Sequence, residues 1–321
     1  MSYRILLALT MTLISAAAHA TEFQIAPEPS GNTQRLWNSN PPGGDHVKVK
    51  EAIWERAPGA SRHDRFAEHV TRPLMTLFEP EGRANGITLL MVPGGGYVRV
   101  VIDKEGFDSA EWFAARGFSV AVLRYRMPAD GWADGADAPV HDAMRAIRLL
   151  RHRAAQRGET DVRIGVIGFS AGGHVVGRLI TNGAQAYVRQ DAIDELSARP
   201  DFAVLMYPVV ATVGAFAHGG SVQQLMNAGV QAADLARYSP DRGVDGRTPP
   251  TLLVHAADDT VVPVDNSLLM FDALRKAGVP SELHVFDRGG HGFGLRGLDG
   301  MNVAAWPTLV ERWATRSSAQ P

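Results

Sequence analysis

Ser170 stands in the run Gly168-Phe169-Ser170-Ala171-Gly172, where the apolar stretch from Ile164 gives way to small residues. This GxSxG pattern is that of a nucleophile elbow, a strand-to-helix turn that pushes a serine oxygen out above a sheet. Glycines two residues to either side leave room for so tight a turn. A serine hydroxyl attacks a carbonyl only when a base takes its proton, and a third group must hold the base. In this arrangement the partners follow in the order Ser, then Asp or Glu, then His. The acid comes from His255-Ala256-Ala257-Asp258-Asp259-Thr260, which offers two carboxylates just past an apolar run. The base is His291, flanked by Gly289-Gly290 and Gly292, as suits an exposed imidazole on a loop. Its rivals fit less well: His284 falls inside a strand pattern, His255 precedes the acid loop, and His174 sits one turn after the serine, where it packs or bonds locally.

Negative charge developing on a carbonyl oxygen needs backbone N–H groups aimed at it. Ala171, directly after the serine, is one source. Gly94-Gly95-Gly96, directly after the apolar run ending at Val92, is the other. No Gly-Lys-Ser/Thr follows those glycines, so they do not read as a phosphate-binding loop.

These groups need a sheet to hold them. Strands are predicted at 48–56, 69–78, 87–92, 118–125, 162–169, 202–207, 251–256 and 282–286, and helices at 106–116, 141–157, 171–181, 264–277 and 303–316. Apolar strands alternating with amphipathic helices predict an α/β fold, a mostly parallel sheet with helices on both faces. Sites in such sheets form at the carboxyl ends of the strands, where Ser170 lies. In the helix from His141, residues Ala143, Ala146, Ile147 and Leu150 repeat at helical spacing. Arg145, Arg148 and Arg151 then read as a solvated face, with Asp142 and Arg145 as an i,i+3 pair. Residues 128–137 read as a loop containing Trp132, and the less periodic 209–248 as a small cap over the sheet.

The first 20 residues read as a signal peptide, with Arg4 at a positive end, an apolar stretch from Ile5 to Ile14 and the small-x-small site Ala18-His19-Ala20. The apolar stretch is too short to span a bilayer. The expected protein is therefore exported, to a periplasm or beyond, with 21–321 as one domain and no membrane association after cleavage. With 32 basic and 34 acidic residues there is no electrostatic case for nucleic acid. The absence of cysteine excludes thiol catalysis, thiolate metal sites and a disulfide framework.

At this point the chain resembles the α/β-hydrolase serine esterases, and within them the bacterial acetylxylan-esterase-like group. The likeness runs over roughly residues 70–315 and rests on Pro93-Gly94-Gly95-Gly96-Tyr97, Leu123-Arg124-Tyr125-Arg126, the helix Asp142–Arg151, Gly168–His174, Arg199-Pro200-Asp201-Phe202, Pro249-Pro250-Thr251, Val262-Pro263-Val264-Asp265-Asn266-Ser267 and Gly289–Gly294. It implies the α/β-hydrolase fold and acyl transfer, with Ser170 as nucleophile, His291 as base and Asp259 as orienting acid. Asp259 fits the related HGxxDxxVP spacing with Ala256 in the glycine position, which leaves Asp258 as a loop residue. Gly95 and Gly96 join Ala171 as oxyanion donors. The wider esterase pattern has a histidine where this chain has Pro93, a departure that the PGGGY group shares. No metal or organic cofactor is implied. The implied substrate is a short acyl ester, acetyl above all, on a polysaccharide such as xylan or its fragments. Tyr97, Trp132 and Tyr207 are candidates to line the sugar or acyl side, though each also fits packing. Competing readings are a feruloyl esterase or serine peptidase on the same fold, and a non-catalytic carbohydrate-binding module. The sequence does not assign an oligomeric state.

Overall fold

The computed structural model describes residues 23–181 and 187–316; the expected signal peptide at 1–20 lies outside them. The strands are β1 (Gln24–Ile25), β2 (Asn32–Arg35), β3 (Ala52–Glu55), β4 (Arg65–Glu68), β5 (Leu74–Phe78), β6 (Ile87–Val92), β7 (Val100–Val101), β8 (Ser119–Arg124), β9 (Arg163–Phe169), β10 (Phe202–Met206), β11 (Thr251–Ala256) and β12 (Ser281–Phe286). The helices are α1 (Asp108–Ala114), α2 (Ala138–Gln156), α3 (Ala171–Ile180), α4 (Gly219–Asn227), α5 (Asp265–Lys276) and α6 (Trp306–Arg316). One turn of π-helix, Asp103–Phe107, leads into α1.

The main sheet has the order β12-β11-β10-β9-β6-β8-β5-β2. It is parallel from β12 to β8, and β5 and β2 add antiparallel pairs at one edge. A smaller antiparallel sheet, β1-β3-β4-β7, carries the N-terminal segments. The central strands are buried on both faces, so alternate side chains enter different cores. From β6, Leu90 and Val92 meet Val175 and Val176 of α3 and Ile147 of α2, whereas Leu89 and Met91 join Phe113 of α1 and Trp306 of α6. A continuous apolar run such as Ile87–Val92 is what two covered faces require. The register places Val92 beside Gly168 and Met206 beside Phe169, so β6, β9 and β10 end at one level around Ser170.

The expected fold class is observed, with local differences: β1 and β2 form within 21–45, which reads as an irregular lead-in, and β7 forms where no strand was expected. Strand β4 was missed, because its charged residues hide the alternation; Arg65 turns inward to bind Asp103, with its Nη2 2.7 Å from Oδ1. The 209–248 stretch contains α4 and two 3₁₀ turns, and its Leu225, Val230 and Leu235 share the core beneath α2 and α3.

The arginine face of α2 is not solvated, and the Asp142–Arg145 pair does not form. Arg145 is 1% exposed and binds Leu36 O, Asp191 and Asp194, while Arg148 and Arg151 reach the carbonyls of Leu196, Ser197 and Arg199. Periodicity marks which face is polar, but not whether chain from elsewhere covers it. Asp142 turns the other way. It accepts hydrogen bonds from Trp37 Nε1 at 2.9 Å, Arg126 N–H at 2.9 Å and Arg126 Nε at 3.0 Å, with both charged side chains wholly buried. Burial pushes the Asp142 carboxyl above its ordinary range, against the pull of the Arg126 guanidinium. Asp142→Ala leaves Arg126 and Trp37 without that partner and should cost about 3–5 kcal/mol of stability. Urea unfolding checks this, and a midpoint equal to wild type would remove the pair from the framework.

Candidate active site

The site grows from the ends of four parallel strands. At the end of β9, Ser170 adopts φ 52°, ψ −118°, a conformation that L-residues avoid. The neighbours hold it there. Ser170 N–H donates to Met206 O at 3.0 Å, and Ser170 O accepts from His174 N–H at 3.2 Å and Val209 N–H at 3.0 Å. A Cβ on Gly172 would overlap the Val92 carbonyl oxygen, so this elbow glycine is demanded by close approach of β6.

Ser170 Oγ lies 2.8 Å from His291 Nε2, and His291 Nδ1 lies 2.7 Å from Asp259 Oδ2. Since Asp259 can only accept when ionised, Nδ1 carries the proton and Nε2 is free to accept from Ser170. The acid loop after β11 wraps Asp259 in donors. Oδ1 accepts from Val261 N–H and Val262 N–H, each at 2.9 Å. Oδ2 also receives His255 Nε2 at 3.2 Å. That ring nitrogen must bear hydrogen, because it also faces the Val262 carbonyl at 2.9 Å. Burial alone would raise the Asp259 carboxyl, but the bonds from His255, His291 and Val262 outweigh it and hold the group well below the ordinary range. It therefore stays a carboxylate. Asp258 accepts Gly290 N–H at 2.8 Å and so braces the loop that carries His291.

The oxyanion loop follows β6. Gly94 N–H is committed to Glu105 Oε2 at 2.7 Å. Among the described residues, no hydrogen bond uses the N–H of Gly95, Gly96 or Ala171. Gly95 has φ 133°, and a Cβ there would overlap the Arg99 carbonyl oxygen; the turn is closed by Arg99 N–H donating to Gly95 O at 3.2 Å. The Tyr125 hydroxyl donates to Pro93 O at 2.8 Å and fixes the start of the loop, where the wider pattern has a histidine.

The aromatic candidates require correction. Tyr97 and Tyr207 are fully buried and Trp132 nearly so, which leaves them little surface for a sugar. Tyr97, at φ 65°, donates its hydroxyl to His174 Nδ1 at 2.7 Å. His174 Nε2–H donates to Tyr238 O at 2.8 Å, and burial followed by the Arg178 charge pushes its pKa down to about 3. This neutral imidazole ties the oxyanion loop to α3. The Tyr207 ring stands edge-to-face on His291 at 5.2 Å between centroids. Trp132 lies under the Arg126 guanidinium at 4.8 Å. Aromatic type alone could not separate these packing roles from contact with substrate. The exposed apolar side chains on the segments flanking the site are instead Val98, Phe216 and Val261.

Two neighbours of the relay escaped the sequence reading. Glu105 is buried against the oxyanion loop. His218 opens α4 and accepts Ser221 N–H at Nδ1, 3.2 Å away. Burial lowers the His218 pKa, as does the charge of His291, so it presents a neutral ring with hydrogen on Nε2. Neither belongs to a recognisable motif; only the folded chain brings them near the relay. Among the described residues, no group of three His, Asp or Glu side chains is placed to hold a metal ion.

The arrangement supplies a hydroxyl, a base able to take its proton, a carboxylate able to hold the imidazolium, and uncommitted amides beside the hydroxyl. The family model described as BD-FAE matches residues 75–274. The chain is 31% identical over 251 residues to endo-1,4-beta-xylanase B of Butyrivibrio fibrisolvens, covering 78% of this chain and 39% of that protein. It is 31% identical over 225 residues to an acetylxylan esterase of Xylanibacter ruminicola, covering 69% and 44% respectively. It thus spans about two-fifths of the length of these curated relatives. The solved acetyl ester-xyloside bifunctional hydrolase of Caldicellulosiruptor lactoaceticus superposes with a TM-score of 0.71 at 33% identity, over 90% of this chain and 97% of that one.

Asp259→Asn should lower kcat by roughly 10⁴-fold, the size seen when an orienting acid is lost and the wrong tautomer favoured. Asp258→Asn keeps an acceptor for Gly290 N–H and should stay within about threefold of wild type, a change under 1 kcal/mol. Steady-state kinetics on an aryl acetate checks both, and a crippled Asp258→Asn beside an active Asp259→Asn reverses the assignment.

Proposed function

This chain belongs to the BD-FAE family of α/β-hydrolase esterases, and from that premise we propose that it removes short acyl groups, acetyl above all, from polysaccharides or oligosaccharides such as xylan. The observation that carries the reading is the unbroken relay Ser170–His291–Asp259, with contacts of 2.8 and 2.7 Å, beside three uncommitted amides. In the proposed reaction His291 Nε2 takes the proton as Ser170 Oγ attacks the ester carbonyl. The oxygen that gains charge is received by the N–H groups of Gly95, Gly96 and Ala171, which no other group of the described residues occupies. His291 returns the proton to the departing alcohol oxygen. Water then attacks the acyl-enzyme with His291 again as base, which restores the Ser170 hydroxyl.

The carbohydrate side of the proposal draws on what the relatives are named for, an acetylxylan esterase and an acetyl ester-xyloside hydrolase. Glycoside cleavage requires two carboxylates flanking the scissile bond. The carboxylates tied to His291 and to the glycine loop, Asp259 and Glu105, have both oxygens engaged by protein donors, which favours ester over glycoside chemistry. Export rests on the leader at 1–20 and its Ala18-His19-Ala20 site, and a single domain over 21–321 is proposed with it.

Purified protein should hydrolyse short-chain aryl acetates and release acetate from acetylated xylo-oligosaccharides, preferring acetyl to butyryl and feruloyl esters and to peptides. Ser170→Ala should abolish nearly all of this. Aryl acetate turnover by Ser170→Ala at the wild-type rate would sink the nucleophile assignment, and a faster feruloyl or peptide reaction would redirect the substrate class. Protein recovered from outside the cytoplasm should begin at Thr21.

A further inference from the structure

Glu105 is an acid in an expensive place. It sits on the π-helical turn before α1, is 5% exposed, and has no basic side chain hydrogen-bonded to it among the described residues. Its two oxygens instead take two donors from two parts of the catalytic apparatus. Oε2 accepts Gly94 N–H at 2.7 Å, at the root of the oxyanion loop. Oε1 accepts the Tyr207 hydroxyl at 3.0 Å, and the Tyr207 ring is the one packed edge-on against His291. The Tyr207 phenol is the donor in that contact. Gly94 N–H can only donate. Both partners are therefore arranged for an ionised carboxylate. A Cβ on Gly292, the residue after the base, would lie 3.6 Å from Oε1, so the carboxylate reaches the loop that carries His291.

A π-helical turn is a costly local structure that recurs at functional sites. Here it is held by Arg65, whose N–H, Nε and Nη2 all bind Asp103, two residues before Glu105. A buried carboxylate pays a desolvation penalty that an apolar residue would not. Apolar filling would serve packing better, so its retention asks for a role that needs charge.

We propose that Glu105 is a positioning residue for the ester reaction, a buried carboxylate that locks the oxyanion loop to the base loop through Tyr207 and helps stabilise the protonated base. The proposal rests on the relay and oxyanion assignments above. It gives the imidazolium two anions on different sides, Asp259 in contact at Nδ1 and Glu105 behind the Tyr207 ring. The ionisable groups facing Glu105 are Lys104, Tyr125, Tyr207 and His291, and those facing His291 are Asp259, Glu105 and His218. Burial raises the Glu105 carboxyl above its ordinary range, and Gly94 N–H, the His291 charge and the Tyr207 hydroxyl offset that rise only in part.

The test is Glu105→Gln, with Tyr207→Phe as a milder companion, assayed on an aryl acetate across pH. Gln keeps the size but lacks the charge and must point an amide N–H at one of the two donors. Its kcat should fall by roughly 10- to 100-fold with KM little changed, less than the 10²–10³ of a lost direct oxyanion donor. The sign of the pH effect follows from charge. Without a nearby anion the protonated base is less favoured, so the acidic limb of kcat/KM, which reports the free enzyme's base, moves to lower pH. A move of roughly half a unit or more is expected for a charge acting across a partly screened interior. A merely structural role would lower kcat and leave the limb in place. Tyr207→Phe keeps the ring on His291 and removes the link, so it should lower kcat by roughly 3- to 10-fold and add less than its full effect to Glu105→Gln. Wild-type kcat in Glu105→Gln, or a loss with an unmoved limb, overturns the proposal. If Glu105→Gln does not fold by circular dichroism, Tyr207→Phe decides, and wild-type behaviour in it overturns the proposal. An inactive wild-type protein would instead overturn the esterase reading, which keeps the two failures apart.

Discussion

The backbone of Ser170 must be held at positive φ, and much of the molecule serves that constraint. Such a conformation costs of order 1–3 kcal/mol and persists only where the surroundings over-determine it. Here the surroundings are β6 and β10 on either side of β9, with Ser170 N–H tied to Met206 and its carbonyl receiving both Val209 and His174. Parallel pairing sets those three strand ends at one level. The two cores on opposite faces hold the strands still, because a close-packed interior transmits strain rather than absorbing it.

The same turn starts α3 and leaves the Ala171 amide, a proposed oxyanion donor, at the helix's first position. The other candidate site residues come from different strand ends: Gly95 and Gly96 from β6, Asp259 from β11 and His291 from the loop after β12. None of these loops is left to its own flexibility. Tyr125 and His174 through Tyr97 tie down the glycine loop, and Asp258 holds Gly290 beside the base. His255 closes over the acid, itself held by Ser267 at 2.8 Å. Preorganisation of this kind is where electrostatic catalysis draws its advantage, since no donor has to be reoriented during reaction.

Buried charge is used in two ways. Around α2 it is structural: Asp142 with Arg126, and Arg145 with Asp191 and Asp194, stitch the N-terminal segment and the 187–201 stretch onto the sheet. At the site the carboxylates face hydrogen-bond donors rather than guanidinium groups. Asp259 accepts from four donors and Glu105 from two. A guanidinium beside Asp259 would compete with the imidazolium for the carboxylate; neutral donors hold the acid ionised and leave its attraction for His291 intact.

The residue order Ser170, Asp259, His291 and the strand–helix alternation were legible in the sequence, because the elbow and the two strand-end loops are local signals. A strand buried on both faces must be apolar throughout, and a tight turn must have glycine, so both leave marks in the chain. Roles set by contact across the fold left none. Tyr97 and Tyr207 looked like substrate aromatics and are buried struts, since residue type does not tell which way a ring faces. The arginines of α2 looked solvated and are covered, since periodicity cannot see a segment fifty residues away. Glu105 and His218 carry no motif at all. Sequence by itself determined the chemistry available and the sheet that would present it. Only the tertiary structure decided which buried groups hold that chemistry in place, because desolvation and hydrogen-bond partnership exist only once distant segments have been brought together.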